Sequence, residues 1–139
     1  KAANPALSVA LFGYTEWLMY TKVYFDYFCK YETYIPAVAY YNALSPQTKR
    51  IEYKYRQWFK EEMQGALPRF ALTGYDQASY FCQGLHRYGM NFSGSKAENM
   101  HTPLQTPLHF RQVANGGRQN ANFMLIHYKN NRTIESITY

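Results

Sequence analysis

Apolar residues follow two different patterns along the first third of the chain. Val9–Gly13 is a short continuous apolar run that ends at glycine, the pattern of a strand buried on both faces of a parallel sheet. From Tyr20 to Tyr31, apolar and aromatic residues recur every three or four positions, which predicts an amphipathic helix. Ala37–Tyr41 is rich in β-forming residues and follows Pro36, so a second strand is predicted there. We expect the two strands to lie parallel in one sheet, with helices packed on it.

The middle of the chain predicts two further helices. Ser45 is a favourable N-cap and Pro46 a favourable first helical residue, so a second helix is expected to begin there and to end before Gly65. A third helix is predicted over residues 74–87, because apolar side chains again recur on one face. Gly89 is its expected C-terminal cap.

The last third of the chain changes to the period of a β-strand. Asn91–Thr102 is polar and small, which predicts an exposed loop and the best candidate for a boundary. Beyond it we expect strands over Leu108–Gln112, Asn122–Tyr128 and Thr133–Ile137, with a turn at Asn115–Gly117. The fold class predicted from this order is α/β with a C-terminal antiparallel meander.

Composition excludes several classes of protein. The chain has 139 residues, enough for one domain with its own core, and 47% of them are apolar against 17% charged. No apolar run approaches the ~20 residues of a membrane-spanning helix. The net charge of +6 is divided evenly between residues 1–70 and 71–139, without any long basic run. We therefore expect a globular protein whose partners include neither a nucleic acid nor a membrane.

Cysteine, histidine and motif patterns give little sign of chemistry. Cys29 and Cys82 each lie in an aromatic apolar stretch, which favours buried free thiols but leaves a disulfide open. His109 and His127 could meet across a hairpin, although a structural or surface role is favoured over a metal site. The sequence has no Walker loop, dinucleotide-binding glycine motif, nucleophile elbow or HExxH motif. No enzyme activity, cofactor or metal is predicted.

Two acidic residues follow Gly-Tyr pairs. Glu16 comes three residues after the first predicted strand, between Tyr14 and Trp17, where a ligand's ammonium group could be bound by charge and by cation–π contact. The alternative for Glu16 is an ordinary acid at a helix start. For Asp76, which follows Tyr75, we expect only that it complements the dipole of its helix. The predicted ligand-binding residues are Tyr14, Glu16, Trp17 and Tyr75.

Several short sequence motifs occur in an order typical of a known family. They are Leu11-Phe12-Gly13-Tyr14-Thr15-Glu16-Trp17-Leu18, Thr33-Tyr34-Ile35, Leu72-Thr73-Gly74-Tyr75-Asp76 with Tyr80-Phe81, and Leu104-Gln105 through Phe110 with Gly116-Gly117 and Asn120. In this order the chain resembles the C-terminal part of type I periplasmic binding proteins of the branched-chain amino acid kind. The subgroup it resembles most is the one of Gram-negative bacteria that carries LysM repeats upstream.

The resemblance implies a fold, a function and a location. The fold would be a Rossmann-like lobe of a two-lobed clamshell, with residues 1–72 in the second lobe and 73–139 forming a cross-over helix and closing strands. The chain would then be a single domain or a fragment of a periplasmic or cell-envelope solute-binding protein of the ABC-transporter type. In amino-acid-binding relatives an acid at the position of Glu16 receives the ligand's amino group. The alternative is a cell-envelope scaffold associated with peptidoglycan through absent upstream repeats.

Self-association is also expected if the chain is such a fragment. Apolar faces made to pack on a first lobe would be left exposed over more than the few hundred Å² that a monomer tolerates. The residues expected in this interface are Phe81, Leu85, Phe110, Phe123 and Leu125. The strand around Phe123–Tyr128 is expected to be an edge strand with unpaired backbone groups.

Overall fold

A computed structural model describes residues 4, 7–43, 45–93 and 101–139. Within them the protein is a mixed α/β structure, as the sequence predicts. Its helices are α1 (Thr21–Lys30), α2 (Pro46–Phe59) and α3 (Phe70–Tyr88), with 3₁₀ helices at Thr15–Tyr20 and Gly89–Asn91. Its strands are β1 (Tyr34–Ala37), β2 (Phe110–Gln112), β3 (Arg118–Asn120), β4 (Met124–Tyr128) and β5 (Ile134–Thr138). Residues 94–100 of the predicted loop Asn91–Thr102 lie outside the described residues.

The chain forms two compact units. The split unit comprises Lys1–Ala37 with Phe123–Tyr139, and the continuous unit comprises Val38–Asn122. The boundary expected between residues 72 and 73 falls in the first turn of α3. The assignment of residues 1–72 and 73–139 to parts of a larger domain remains a prediction.

The split unit is built on a three-stranded antiparallel sheet with the order β1-β4-β5. Ile35 of β1 is paired with Ile126 of β4, and both side chains are completely buried. The predicted first helix is confirmed as α1, which packs on β4 through the rings of Phe28 and Tyr128, with centroids 5.2 Å apart. The Tyr128 hydroxyl is 2.7 Å from Thr21 Oγ1 at the start of α1.

The predicted parallel pair of strands is largely wrong. Val9–Gly13 makes a single parallel bridge, Phe12 to Tyr34, and Phe12 is 67% exposed rather than buried. Gly13 N donates to Tyr34 O at 2.8 Å, and the next donor of the parallel ladder would be the backbone nitrogen of Pro36. Because proline has no N–H, the ladder stops after one bridge. The Thr15 hydroxyl donates instead to Pro36 O at 2.8 Å.

The predicted strand over Ala37–Tyr41 is shifted in the structure. The strand is β1, which ends at Ala37, and the residues after it belong to the continuous unit. There the backbone N–H of Tyr40 donates to the carbonyl of Gln105 at 2.9 Å. The partner of Tyr40 is therefore an irregular segment far along the sequence, and among the described residues β1 does not extend past Ala37.

Helices α2 and α3 organise the continuous unit. The predicted start at Ser45 and Pro46 is confirmed, but α2 ends at Phe59 because Lys60 adopts a left-handed conformation. Trp58 and Phe59 at the end of α2 are 70% and 61% exposed, whereas Ile51 and Tyr55 are partly buried. A small core lies between the helices and the segment after residue 101. Its residues are Met63, Leu72 and Leu104, with Tyr41, Ile51, Tyr55 and Ala71 around them.

An aromatic cluster covers the second half of α3. Buried Tyr80 contacts the rings of Phe81, Phe92 and Phe110, with centroids 5.4 to 6.0 Å apart. A side chain at Gly84 would collide with the ring of Phe92, so glycine permits this close approach. The predicted third helix is confirmed, although it begins earlier, at Phe70. Gly89 follows it with a φ of +53°, which confirms the predicted cap.

The predicted meander is replaced by two separate hairpins. Strand β2 pairs with β3, a strand that the sequence did not predict, and they form a two-stranded sheet in the continuous unit. Strands β4 and β5 pair as expected in the split unit. The segment around Phe123–Tyr128 is not an edge, because β4 lies between β1 and β5. Consequently β5 rather than β4 has a side without a described strand partner.

Both cysteines are free thiols. Cys29 is buried as predicted, and this burial raises the pKa of its thiol. The expectation that Cys82 is also buried is wrong, since its position on α3 is exposed. Cys82 is two residues after the buried Tyr80, and positions two apart lie on roughly opposite sides of a helix, so Cys82 faces solvent.

We expect Tyr128 to make the split unit sensitive to alkaline pH. Burial raises the pKa of the Tyr128 phenol, despite the opposing hydrogen bond with Thr21. The neutral phenol is therefore favoured in the folded state. Its stabilising contribution is complete below the unfolded pKa of about 10 and is lost as the pH rises towards the higher folded value. Tyr128→Phe should lower the free energy of unfolding by about 1 kcal/mol at neutral pH, because the hydrogen bond is removed. Above the pKa of tyrosine, the stability of this variant should fall less steeply with pH than that of the unmodified protein.

Urea unfolding followed by circular dichroism at neutral pH and above pH ~10 tests this expectation. Tyr53→Phe is the matched control, because Tyr53 is 60% exposed. An identical alkaline loss of stability in Tyr128→Phe and in the control would contradict the role of Tyr128.

Candidate functional site

An open cleft in the split unit is lined by aromatic rings. Its walls come from the first 3₁₀ helix and from α1, and its volume is about 560 Å³. The residues that line this aromatic cleft are Trp17, Tyr20, Tyr24 and Phe28. Trp17 and Phe28 stack with parallel ring planes and centroids 5.8 Å apart. Tyr20 and Tyr24 are each about half exposed, so aromatic surface remains accessible to a ligand.

The local sequence explains the position of Trp17. Gly13 is buried directly against the Trp17 ring, where any larger side chain would collide with it. The bond from Gly13 N to Tyr34 O fixes the backbone beside β1, and the chain then turns into the 3₁₀ helix. The absence of a side chain at residue 13 thus allows Trp17 to fold back and stack on Phe28.

Of the four predicted site residues, Trp17 lines this cleft, Tyr14 contacts the Trp17 ring and Glu16 directly precedes Trp17 in the sequence. Tyr14 is 71% exposed, and its ring meets the edge of the Trp17 ring at 6.4 Å between centroids. Glu16 is exposed in the first turn of the 3₁₀ helix, without an ion pair among the described residues. Their expected position at the end of a strand is wrong, because Val9–Gly13 forms only one bridge. Their role in binding remains a prediction.

The fourth predicted residue, Tyr75, lies in the continuous unit. It is on α3, is 41% exposed and lines a second cavity of about 320 Å³. We call this the basic cavity because Arg50 and Lys54 line it together with Tyr75. The predicted site is thus distributed over two units, and the structure does not gather it within either of them.

The sequence interpretation missed the most elaborate polar site, which is centred on Asp76. This carboxylate is completely buried and accepts backbone N–H groups from Leu104, Gln105 and Thr106 at 2.8, 2.9 and 2.8 Å. The ring Nε2 of His101 lies 3.3 Å from the same carboxylate. Asp76 is in the second turn of α3, so its expected role at the helix start is wrong. Its main partner is a distant segment of chain.

Gln105 completes this site from the other side. Its side-chain oxygen accepts Arg69 N at 2.9 Å, while its amide donates to Arg69 O at 3.1 Å and to Thr73 Oγ1 at 2.9 Å. A weak signal for the site exists in the sequence. Pro103 and Pro107 bracket a segment that cannot form a continuous ladder, so its remaining N–H groups need a partner such as a buried carboxylate.

Neither possible metal ligands nor similarity to known proteins identifies what these sites bind. Among the described residues there is no group of three or more His, Cys, Asp or Glu side chains that could bind a metal ion. No described helix has the length and apolar character needed to cross a membrane. Comparison with family models, with curated proteins and with solved structures finds no match to this chain. The chemistry of the sites therefore has to be inferred from their own residues.

We expect Asp76→Asn to destabilise the continuous unit by about 3 kcal/mol. The substitution keeps the size of the side chain but replaces one accepting oxygen with an amide that donates. At least one backbone N–H group would then face a donor: Leu104 N–H if the first oxygen is replaced, or both Gln105 N–H and Thr106 N–H if the second is replaced. The free energy of unfolding from urea titrations measures the loss.

Glu62→Gln is the control for this experiment. Glu62 pairs with Arg56 at 2.9 Å in the same unit, but both side chains are more than half exposed. Surface ion pairs contribute little, so this variant should change stability by less than about 1 kcal/mol. Equal losses in the two variants would show that Asp76 has no special structural role.

Proposed function

We propose that this protein is a non-enzymatic solute-binding protein that closes by a hinge movement around a small ammonium-bearing ligand, such as an amino acid. The observation that carries the proposal is the exposed carboxylate of Glu16 directly before Trp17 of the open aromatic cleft. The finer assignment is an extracytoplasmic, type I periplasmic-binding-like protein with a Rossmann-like lobe. The order of the short sequence motifs between Leu11 and Asn120 supports this assignment.

The chemistry of the aromatic cleft suits a cation. An ammonium group within about 6 Å of an aromatic ring is attracted by the negative face of that ring, most strongly with tryptophan. Glu16 directly precedes Trp17 in the 3₁₀ helix and has no ion pair among the described residues, so in this proposal its carboxylate receives the ammonium group of the ligand. An exposed carboxylate alone binds an ammonium weakly in water, so the rings are needed to exclude solvent around it.

The contact between Asp76 and His101 resembles part of a catalytic site, but its bonding favours a structural role. Both carboxylate oxygens already accept backbone N–H groups of the segment at residues 104–106. A carboxylate with both oxygens engaged in this way holds the segment at residues 104–106 against α3. We therefore propose a structural role for this pair of side chains.

A tryptophan fluorescence titration tests the proposed ligand class. The chain has two tryptophans, so a Trp58→Phe background leaves Trp17 as the only reporter. Amino acids should change the Trp17 emission in a saturable manner, because the ligand would lie against its ring. In this background, Glu16→Gln should weaken binding about tenfold, as expected when one partner of a charge-assisted contact is neutralised.

Glu61→Gln is the matched control, since Glu61 is also exposed but belongs to α2's C-terminal flank in the other unit. Its affinity should equal that of the background protein. Choline should compete with the amino acid if the ammonium group is the feature recognised. Emission that stays unchanged at millimolar concentrations of every ligand would exclude the proposal.

A second candidate function is a cell-envelope scaffold whose binding fold acts as an interaction domain. Exposed apolar side chains favour it. Phe81 and Leu85 on α3 are 41% and 55% exposed, and Phe123 before β4 is 42% exposed. Phe110 and Leu125, which the sequence also predicts in an interface, are only partly buried. Phe81 and Leu85 lie one turn apart on α3 of the continuous unit, and exposed apolar surface of this kind is typical of protein interaction sites.

We expect this chain to self-associate through such a surface. Leu85→Glu should shift the equilibrium towards monomer, because a charge would be buried when two copies meet. Gln77→Glu is the control, as Gln77 is an exposed polar residue of the same helix. Sedimentation equilibrium over a wide concentration range measures the effect. A monomer at every concentration in the unmodified protein would contradict the scaffold proposal.

A further inference from the structure

The basic cavity contains two positive charges that no described residue neutralises. Arg50 and Lys54 lie one turn apart on α2, and both line the cavity. Among the described residues, no carboxylate pairs with either side chain and no acidic residue is part of the lining. Two like charges held on one face of a helix repel each other, which costs free energy unless an anion lies between them.

Neutral donors surround these two cations. Gln47 of α2, Tyr75 and Gln83 of α3, and Thr102 line the same cavity. Amide and hydroxyl groups can donate to the oxygens of an anion, while a guanidinium group binds two of these oxygens at once. The walls thus combine fixed positive charge with several hydrogen-bond donors, as in sites that bind oxyanions.

Asp76 gives the cavity a fixed wall. The His101 ring lines the cavity, and its Nε2 is directed at the Asp76 carboxylate, 3.3 Å away. The same carboxylate binds the backbone at residues 104–106, so it holds the segment that carries His101 against α3. Because Asp76 is completely buried and engaged by these groups, its negative charge does not face the cavity as a free carboxylate.

From this geometry we infer that the basic cavity is a second binding site, specific for a small molecule with a phosphate or carboxylate group. Its volume of about 320 Å³ lies at the lower end of the range for ligand pockets and fits a compact metabolite rather than a polymer. The site is independent of the aromatic cleft, whose residues all belong to the split unit.

Isothermal titration calorimetry with three probes tests this inference on the whole chain. The probes are inorganic phosphate, glycerol 3-phosphate and succinate. We expect saturable binding of at least one of them. Binding of only the two phosphates would identify a phosphate site, and binding of only succinate a carboxylate site.

The variants Arg50→Gln and Lys54→Gln should each weaken binding about tenfold, because each removes one charge-assisted contact. Lys49→Gln is the matched control. Lys49 is an exposed cation on the same helix, but it does not line the cavity. The Lys49→Gln substitution removes the same formal charge and should leave the affinity for the probe unchanged. Far-ultraviolet circular dichroism verifies that each variant is folded.

Two results would overturn the inference. One is the absence of saturable heat with all three probes in the unmodified protein. The other is a loss of affinity in Lys49→Gln as large as in Arg50→Gln and Lys54→Gln, which would indicate nonspecific attraction to a basic surface. Neither result depends on amino acid binding near Trp17, so this inference and the proposed function can fail separately.

Discussion

The buried carboxylate of Asp76 is the constraint on which the continuous unit depends. A lone charge in a protein interior is strongly unfavourable, and here three backbone N–H groups and the His101 ring compensate for it. Those N–H groups belong to a segment bracketed by Pro103 and Pro107, and the two prolines lack the N–H groups needed to continue a sheet on either side of it. The backbone N–H groups therefore provide donors for the carboxylate, and the carboxylate provides an acceptor for them. The same contact places Leu104 in the core between the helices.

In the split unit, a proline ends the pairing of two chain segments. Pro36 lies in β1, between the segment at Phe12 and strand β4. Its side towards β4 continues the antiparallel pairing, while its missing N–H stops the parallel pairing after one bridge. The chain then turns at Tyr14 and forms the aromatic cleft instead of a longer strand. A backbone constraint at one residue thus determines where candidate binding groups are placed.

The sequence predicted features that depend on neighbours along the chain. The three helices, the cap at Gly89 and the hairpin of β4 with β5 follow from local periodicity and turn residues. The contact of Tyr14 with Trp17 is also predictable from the sequence, because the two residues are only three positions apart. The pairing of β1 with β4 and the bonds from Asp76 to residues 104–106 join segments far apart in sequence. No periodicity specifies such pairings, since many strands or loops would satisfy the same local pattern.

The two candidate sites differ in charge, and this difference determines what each can select. The aromatic cleft is lined by electron-rich ring faces, and Glu16 directly precedes its Trp17, so an anion placed over these rings would be repelled by their negative faces. The basic cavity combines Arg50 and Lys54 with neutral donors, so a simple ammonium ion would be repelled there. Specificity arises from such unfavourable interactions as much as from attraction. If both sites bind as proposed, a molecule that carries only one type of charge would therefore be directed to one unit.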